Sequence, residues 1–138
     1  MSCVLAIDDE PDLLQLMEDF LTDAGYRVLA CRSVREAIDL LSRDGKVDLI
    51  LSDIFMPDAD GLELLRAVHR QMRPIPVVLM SGRVVPRFDP LQAGRTLGAA
   101  AVLNKPLDLD ELLSTVDRVM GSYNRQVASD HNRETLFS

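Results

Sequence analysis

The sequence has little cysteine, and this limits how the chain can be held together. It contains 138 residues and two cysteines, Cys3 and Cys31. A chain of this length buries roughly 68% of the surface that its unfolded form exposes, so it needs no disulfide framework to hold a core. We therefore expect two buried, reduced thiols. A redox-sensing pair across neighbouring strands stays open as an alternative.

Long apolar runs are also missing. No stretch approaches the roughly 20 apolar residues that a membrane span requires. Met1 leads almost directly into a strand-like segment, without the basic region and cleavage site of a secretory signal. The sequence therefore predicts a cytoplasmic protein with no membrane partner.

Clustered positive charge is the third absence. The chain carries 15 basic and 22 acidic residues, a formal net charge of −7. Contact with nucleic-acid phosphates requires grouped Lys and Arg, and we find no basic stripe, zinc-ligand pattern or recognition-helix motif. We expect no direct binding of nucleic acid by this chain.

What is present is a regular alternation of short apolar runs with segments of helical period. This pattern is typical of successive βα units that form a parallel sheet covered on both faces, a three-layer α/β sandwich. The length predicts one domain over residues 1–121, and the polar composition of 122–138 predicts a tail or the start of a linker. The predicted strands are Cys3–Ile7, Arg27–Cys31, Asp48–Ser52, Pro76–Met80 and Ala100–Leu103.

The predicted helices lie between the strands and carry recognisable start and stop signals. These signals are Pro11 and Gly25 for the first helix, Ser33 with Glu36 for the second, Asp89 with Pro90 for a short fourth helix through Leu97, and Asp108 with Glu111 and then Gly121 for the last. Apolar residues at helical spacing predict the buried faces. They are Leu13, Leu16, Met17, Phe20 and Leu21 in the first helix and Leu62, Leu65, Val68 and Met72 in the third.

Four carboxylates follow two of the predicted strands. Asp8, Asp9 and Glu10 come after the first strand, and Asp53 comes directly after the third. If these strands are neighbours, the carboxylates share one crevice, where two of them at 4 Å repel by about 4 kcal/mol at an effective dielectric of 20. A hard cation such as Mg²⁺ relieves this repulsion. The alternative for the first three residues is capping of the helix that begins near Pro11.

Three further residues lie at the same predicted sheet edge. Ser81 follows the fourth strand, and Lys105 with Pro106 follows the fifth. A hydroxyl and an ammonium beside an acidic metal pocket suit a bound phosphoryl group, whose oxygens they can share with the metal. Asp53 is then the natural nucleophile, because a carboxylate can accept a phosphoryl group as an aspartyl phosphate.

In this arrangement the sequence resembles the receiver domain of bacterial two-component response regulators, of the single-domain type found in chemotaxis regulators. The resemblance covers residues 3 to about 120. It rests on four motifs at four predicted strand ends: Asp8-Asp9, the run from Asp53 to Pro57 followed by Asp60-Gly61, Ser81-Gly82, and Lys105-Pro106.

The resemblance implies a flavodoxin-like (βα)5 fold with strand order 2-1-3-4-5. It also implies that Asp53 is the phosphoacceptor, that Asp9 and Asp53 bind Mg²⁺ directly, and that Asp8 binds it through water. The backbone carbonyl of Phe55 is expected as a further ligand. Ser81 and Lys105 are expected to contact phosphoryl oxygens, and the bond between Lys105 and Pro106 to be cis.

The implied partners are a sensor histidine kinase or a histidine phosphotransfer protein, together with a downstream protein target. The implied chemistry is self-promoted phosphoryl transfer and autodephosphorylation rather than enzymatic turnover. Phosphorylation is expected to shift a two-state population at the face made by helix four, strand five and helix five.

Two positions depart from the family pattern. Val102 stands where members commonly carry the aromatic half of a switch with Ser81, and Phe55 stands at an often polar position beside the pocket. We therefore hypothesise that output depends on movement of the segment from Ser81 to Leu97, and that Phe55 slows the loss of the phosphoryl group. The main alternative is a receiver-like binding module that does not use phosphorylation.

Two other readings fit the residues less well. A phosphatase with an aspartate nucleophile would carry an acid Asp two residues after that nucleophile, but Glu10 follows Asp8 and Phe55 follows Asp53 at this spacing. A flavin-binding domain needs a phosphate-binding loop after the first strand, where the acidic residues of this chain would repel the phosphate.

Overall fold

Five parallel strands form one sheet in the order β2-β1-β3-β4-β5, which confirms the predicted topology. The computed structural model describes residues 2–43, 46–57, 61–70, 75–82 and 86–121. Predictions for Asp60, Met72 and the tail 122–138 lie outside these residues. The strands are β1 Cys3–Ile7, β2 Arg27–Cys31, β3 Leu49–Asp53, β4 Val77–Ser81 and β5 Ala101–Asn104.

Helices cover both faces of the sheet and make two separate cores. The helices are α1 Pro11–Asp23, α2 Val34–Arg43, α3 Gly61–Arg70, α4 Pro90–Thr96 and, over residues 109–121, α5. Side chains alternate along a strand. Leu5 and Ile7 of β1 therefore join the core under α2, α3 and α4, whereas Val4 and Ala6 join the core under α1 and α5. None of the helices in the described segments has the length and apolar composition of a membrane span.

The last three strands each begin and end one residue later than predicted. The ladder continues through Asp53, which is paired with Met80, and through Ser81, which is paired with Asn104. These two polar residues are therefore the last residues of β3 and β4, and both are buried. A backbone held by neighbouring strands fixes a functional side chain more firmly than a loop does.

The buried face of α1 differs from the prediction. Leu14, Met17 and Leu21 are buried, whereas Leu16 is 48% exposed. Residues 13–17 contain four apolar side chains, so two helical faces were compatible with the sequence. Packing on the sheet selects the face that contains Leu14 and leaves Leu16 at the surface.

The predicted N-caps at Ser33, Asp89 and Asp108 are confirmed. The Ser33 hydroxyl accepts a hydrogen bond from the Glu36 amide, and the Asp89 carboxylate accepts from Leu91 and Gln92 at the start of α4. Asp108 accepts from Asp110 and Glu111 at the start of α5. These bonds satisfy amide groups that have no partner within the helix.

The two cysteines do not form the alternative redox pair. Cys3 is paired with Arg27 at one end of the β1–β2 ladder, and Cys31 is paired with Ile7 at the other end. Four residues of strand separate them by about 13 Å, whereas a disulfide needs Cα atoms within about 7 Å. Both cysteines are buried and outside any disulfide, and burial, with a smaller effect of Glu36, raises the pKa of Cys31 to about 11.

Candidate functional site

The strand order brings the predicted site residues to one edge of the sheet. β1 lies beside β3, so Asp8 follows the neighbour of the strand that ends at Asp53; β4 and β5 continue the sheet on the other side of β3. A pocket of about 720 Å³ opens there. Its lining residues are Asp9, Glu10, Leu13, Leu16, Asp53, Phe55, Ser81, Gly82, Lys105, Pro106 and Leu107.

Lys105 joins the acidic side chains of the two loops. Its ammonium lies 2.8 Å from Asp8 Oδ2, 2.9 Å from Asp53 Oδ2 and 3.5 Å from Glu10 Oε1. The Asp8 side chain is fully buried, and those of Lys105 and Asp53 are 12% and 11% exposed. Three carboxylates thus face one ammonium. The Glu10 side chain is 64% exposed, so the strong, desolvated charge interactions are those of Lys105 with Asp8 and Asp53.

The backbone holds the second oxygen of each buried carboxylate. The Glu10 amide donates to Asp8 Oδ1 at 2.9 Å, and the Phe55 amide donates to Asp53 Oδ1 at 3.2 Å. Each aspartate therefore has one oxygen bound to the backbone and the other directed at Lys105. This fixes the orientation of both carboxylates before any ligand binds.

Burial and charge shift the proton affinities of the site in a defined way. Burial raises the pKa of Asp53, and the hydrogen bond and charge of Lys105 oppose this only in part. Burial also disfavours the charged form of Lys105, but its hydrogen bonds to Asp8 and Asp53 outweigh that effect and raise the pKa of Lys105. The raised pKa keeps the lysine protonated.

The carboxylates can hold a metal ion. Oxygen atoms of Asp8, Glu10 and Asp53 lie within 4.8 Å of one another. An all-oxygen donor set suits Mg²⁺ or Ca²⁺ rather than a softer metal. Asp9 lines the same pocket. At the start of α1, the Glu10 side chain makes no capping hydrogen bond, which favours the metal interpretation over the capping alternative.

Two glycines allow close packing around the site. A Cβ atom on Gly61 would lie 2.7 Å from the backbone oxygen of Asp53, so only glycine lets the start of α3 approach the end of β3 this closely. A Cβ atom on Gly82 would lie 2.8 Å from the Cβ of Lys105. Both glycines belong to motifs noted in the sequence, and their close contacts explain why those positions need no side chain.

Ser81 and Lys105 lie where β4 and β5 end, whereas Val102 lies within β5. Ser81 lines the pocket, and its backbone oxygen accepts a hydrogen bond from the Lys105 amide at 3.0 Å. The bond between Lys105 and Pro106 is cis. Val102 is absent from the pocket lining; it packs against the core under α4.

Two features of the site go beyond the sequence prediction. The sequence placed Glu10 in the shared crevice but assigned only Asp8, Asp9, Asp53 and the Phe55 carbonyl as ligands, whereas a Glu10 oxygen lies in the cluster with those of Asp8 and Asp53. Leu13, Leu16 and Leu107 form an apolar rim around the acidic floor. The only signal for this rim was the surplus of apolar residues in the first turns of α1.

Comparison with known proteins gives consistent matches. The family model of the response regulator receiver domain matches residues 4–117. The two-component response regulator ARR12 of Arabidopsis thaliana is 35% identical over 120 residues, which are 86% of this chain and 20% of that protein. The response regulator SaeR of Staphylococcus aureus is 31% identical over 87% of this chain and 51% of its own length. This chain thus spans about half or less of these curated relatives.

Solved structures match over nearly their whole length. The chemotaxis response regulator CheY4 of Vibrio cholerae has a TM-score of 0.76 and 34% identity, with 86% of this chain and 98% of that chain covered. The receiver domain of a signal transduction histidine kinase from Syntrophus aciditrophicus has a TM-score of 0.80 and 31% identity, with 88% and 92% covered.

Proposed function

Because this chain belongs to the response regulator receiver domain family of two-component systems, we propose that Asp53 accepts a phosphoryl group in an Mg²⁺-dependent reaction. Receiver domains are signalling proteins rather than classical enzymes. Phosphorylation of Asp53 would therefore change the conformational state of the protein rather than turn over a substrate. The observation that carries the proposal is the contact of buried Asp53 with Lys105 inside a pocket that Asp9 and Glu10 also line.

The transfer forms one bond and breaks one. A carboxylate oxygen of Asp53 attacks the phosphorus of a phosphohistidine, the bond from phosphorus to the imidazole nitrogen breaks, and the electron pair stays on the imidazole. The orientation of Asp53 by the Phe55 amide and by Lys105 supports this role, because a fixed nucleophile loses less freedom on reaction.

The acidic pocket fits a divalent cation. We assign Asp8, Asp9, Asp53 and the backbone carbonyl of Phe55 as the residues that hold Mg²⁺, and Glu10 lies close enough to contribute. When bound, the ion neutralises carboxylate and phosphoryl charge. The support from this chain is the excess of carboxylates over the single ammonium of Lys105.

We assign two residues to the binding of the transferred group. The Lys105 ammonium pairs with one phosphoryl oxygen once it is released from Asp53, and the Ser81 hydroxyl donates to another. Each contact stabilises charge that increases on the phosphoryl oxygens. The position of Ser81 at the end of β4, beside the strand that carries Asp53, supports the assignment.

Output is assigned to the face of α4, β5 and α5, with movement concentrated between Ser81 and Leu97. Gly94 lets α4 pack closely on the sheet, since a Cβ atom there would lie 2.7 Å from Leu79 Cδ1 and 3.7 Å from Val102 Cγ1. The small side chain of Val102 fills this contact without a rotating aromatic ring. The proposed partners are a histidine kinase or histidine phosphotransfer protein and a downstream protein.

Intact-mass analysis tests the proposal. Wild-type protein and Asp53→Asn are incubated with a small phosphodonor, each with and without Mg²⁺. We expect one added phosphoryl group in the wild type with Mg²⁺ only. No gain by a folded protein that binds Mg²⁺ would instead support the phosphorylation-independent binding module, for which Phe55 and Val102 are the favouring residues.

A further inference from the structure

The two helical layers carry opposite charge. The helices α1 and α5 contain seven acidic residues and one arginine, whereas α2, α3 and α4 contain five arginines and three acidic residues. The formal charge of −7 for the whole chain hides this asymmetry. A negatively charged partner is therefore repelled by one face and attracted to the other.

The basic layer contains a groove between α2 and α3 with a volume of about 460 Å³. Arg66 and Arg70 are four residues apart and so lie on one side of α3, and Arg35 of α2 lines the groove with them. Val34 and Ile38 supply an apolar floor. Glu63 is the acidic residue among the lining side chains.

The groove is separate from the acidic pocket. No residue that lines the groove also lines the pocket around Asp53. It also lies away from β5 and α5, which belong to the proposed output face. Binding in the groove is therefore a separate property of the fold and does not require phosphorylation.

We propose that this groove is a docking site for an acidic segment of a partner protein that also carries apolar side chains. Arginine guanidinium groups bind carboxylates through paired hydrogen bonds. The floor of Val34 and Ile38 accepts an apolar side chain of the same segment, as in helix-in-groove recognition. Nucleic acid fits less well, because the apolar side chains of Val34 and Ile38 on the groove floor offer no hydrogen-bond donor to a phosphate chain.

The test uses a short helical peptide of glutamate and leucine as the probe. Titration of the full ¹⁵N-labelled chain is expected to give saturable binding, with amide shift changes concentrated in residues 34–38 and 63–70. The double variant Arg66→Glu/Arg70→Glu is expected to weaken binding by at least about tenfold, since both charge attractions become repulsions.

A matched double variant separates docking from general electrostatics. Arg95→Glu/Arg118→Glu changes the net charge equally but lies outside the groove, and we expect it to weaken binding about twofold at most, through long-range attraction alone. Equal losses in both variants, the absence of saturable binding, or shift changes centred elsewhere would each overturn the proposal. So would tighter binding of a single-stranded oligonucleotide in the same groove, or equal affinity for a peptide in which serine replaces leucine.

Discussion

The Lys105 ammonium lies 2.9 Å from Asp53 Oδ2, a contact between residues 52 positions apart in the sequence. The other oxygen of Asp53 accepts from the Phe55 amide. The carboxylate is therefore restrained on both sides before a phosphoryl group arrives. Burial nevertheless raises its pKa, which means that ionised Asp53 is less favourable in the folded chain than in the unfolded chain.

Asp53→Asn is expected to raise the thermal unfolding midpoint in Mg²⁺-free buffer at neutral pH. A carboxyl group with a raised pKa supports the fold fully below its unfolded pKa of about 3.9, and this contribution is lost as the pH rises from there through the folded pKa. The amide removes that loss. Thermal unfolding across pH checks this, with a substitution at an exposed position of α2, Asp39→Asn, as the control.

The reverse order at neutral pH, with Asp53→Asn the less stable protein, would contradict the prediction. Mg²⁺ provides a second comparison. It is expected to raise the midpoint of the wild type more than that of Asp53→Asn, because binding to the folded state alone adds stability.

Gly61→Ala is expected to lower the free energy of unfolding by about 1–3 kcal/mol, the usual range for overpacking a buried site. The added Cβ would meet the backbone oxygen of Asp53, which cannot rotate away. Gly94→Ala is the matched comparison, because its Cβ would meet the side-chain end of Leu79. The Leu79 side chain can move aside, and alanine is more favourable than glycine within a helix by about 1 kcal/mol. Equal losses in urea unfolding would show that backbone contact at Gly61 is not the cause.

Much of the fold could be predicted because its signals are local. β1 and β2 have the predicted bounds, and the caps at Ser33, Asp89 and Asp108 form the expected hydrogen bonds. The site could be located because parallel strands bring their carboxyl ends to one edge. Four polar motifs at four such ends therefore had to converge.

The parts that were not predicted depend on packing between distant elements. The sequence could not choose between the Leu14 and Leu16 faces of α1, because both have helical spacing. Nor could it show that Glu10 turns toward Lys105, a residue 95 positions away. The α2–α3 groove likewise arises only when two helices that are separate in sequence lie side by side.

Phe55→Asn is expected to shorten the lifetime of the phosphorylated state severalfold. Phe55 is only partly buried and lines the pocket, so its ring restricts the approach of water to the acyl phosphate. The Phe55 amide that binds Asp53 is retained in the variant. The cost in stability should stay at about 1 kcal/mol or less, since little apolar area leaves the core.

The decay of the phosphorylated mass in quenched samples measures this lifetime. Met56→Asn is the control, because Met56 packs against the same core but is absent from the pocket lining. Equal half-lives for wild type and Phe55→Asn would remove the proposed role of the ring.

Phosphorylation is expected to change amide exchange in the segment from Ser81 to Leu97 more than in the rest of the α4-β5-α5 face. Val102→Ala should leave that response largely intact, because the side chain lies beside Gly94 of α4 and does not line the pocket. Hydrogen-exchange mass spectrometry with and without a phosphoryl mimic measures it. Unchanged exchange over residues 86–97 would count against this route of output.

Leu16→Ser is expected to slow phosphoryl transfer from a protein donor about tenfold, equivalent to about 1.4 kcal/mol, and to leave transfer from a small phosphodonor unchanged. Leu16 is 48% exposed at the rim of the acidic pocket. A protein that brings a phosphohistidine to Asp53 must cover this rim, and burying the exposed half of a leucine side chain contributes about this much. A small donor reaches Asp53 without covering it.

Phe88→Ser is the matched control for this experiment. Among the described residues it is the other large exposed apolar side chain, at 46%, but it precedes α4 and is absent from the pocket lining. A phosphorylated histidine phosphotransfer protein that transfers to the wild type serves as the protein donor. If Leu16→Ser slowed both donors equally, its effect would lie in the chemistry of the pocket. If Phe88→Ser slowed the protein donor as much, the donor would not dock on the α1 rim. Selective loss in Leu16→Ser alone would establish this rim as the surface through which a protein donor reaches Asp53.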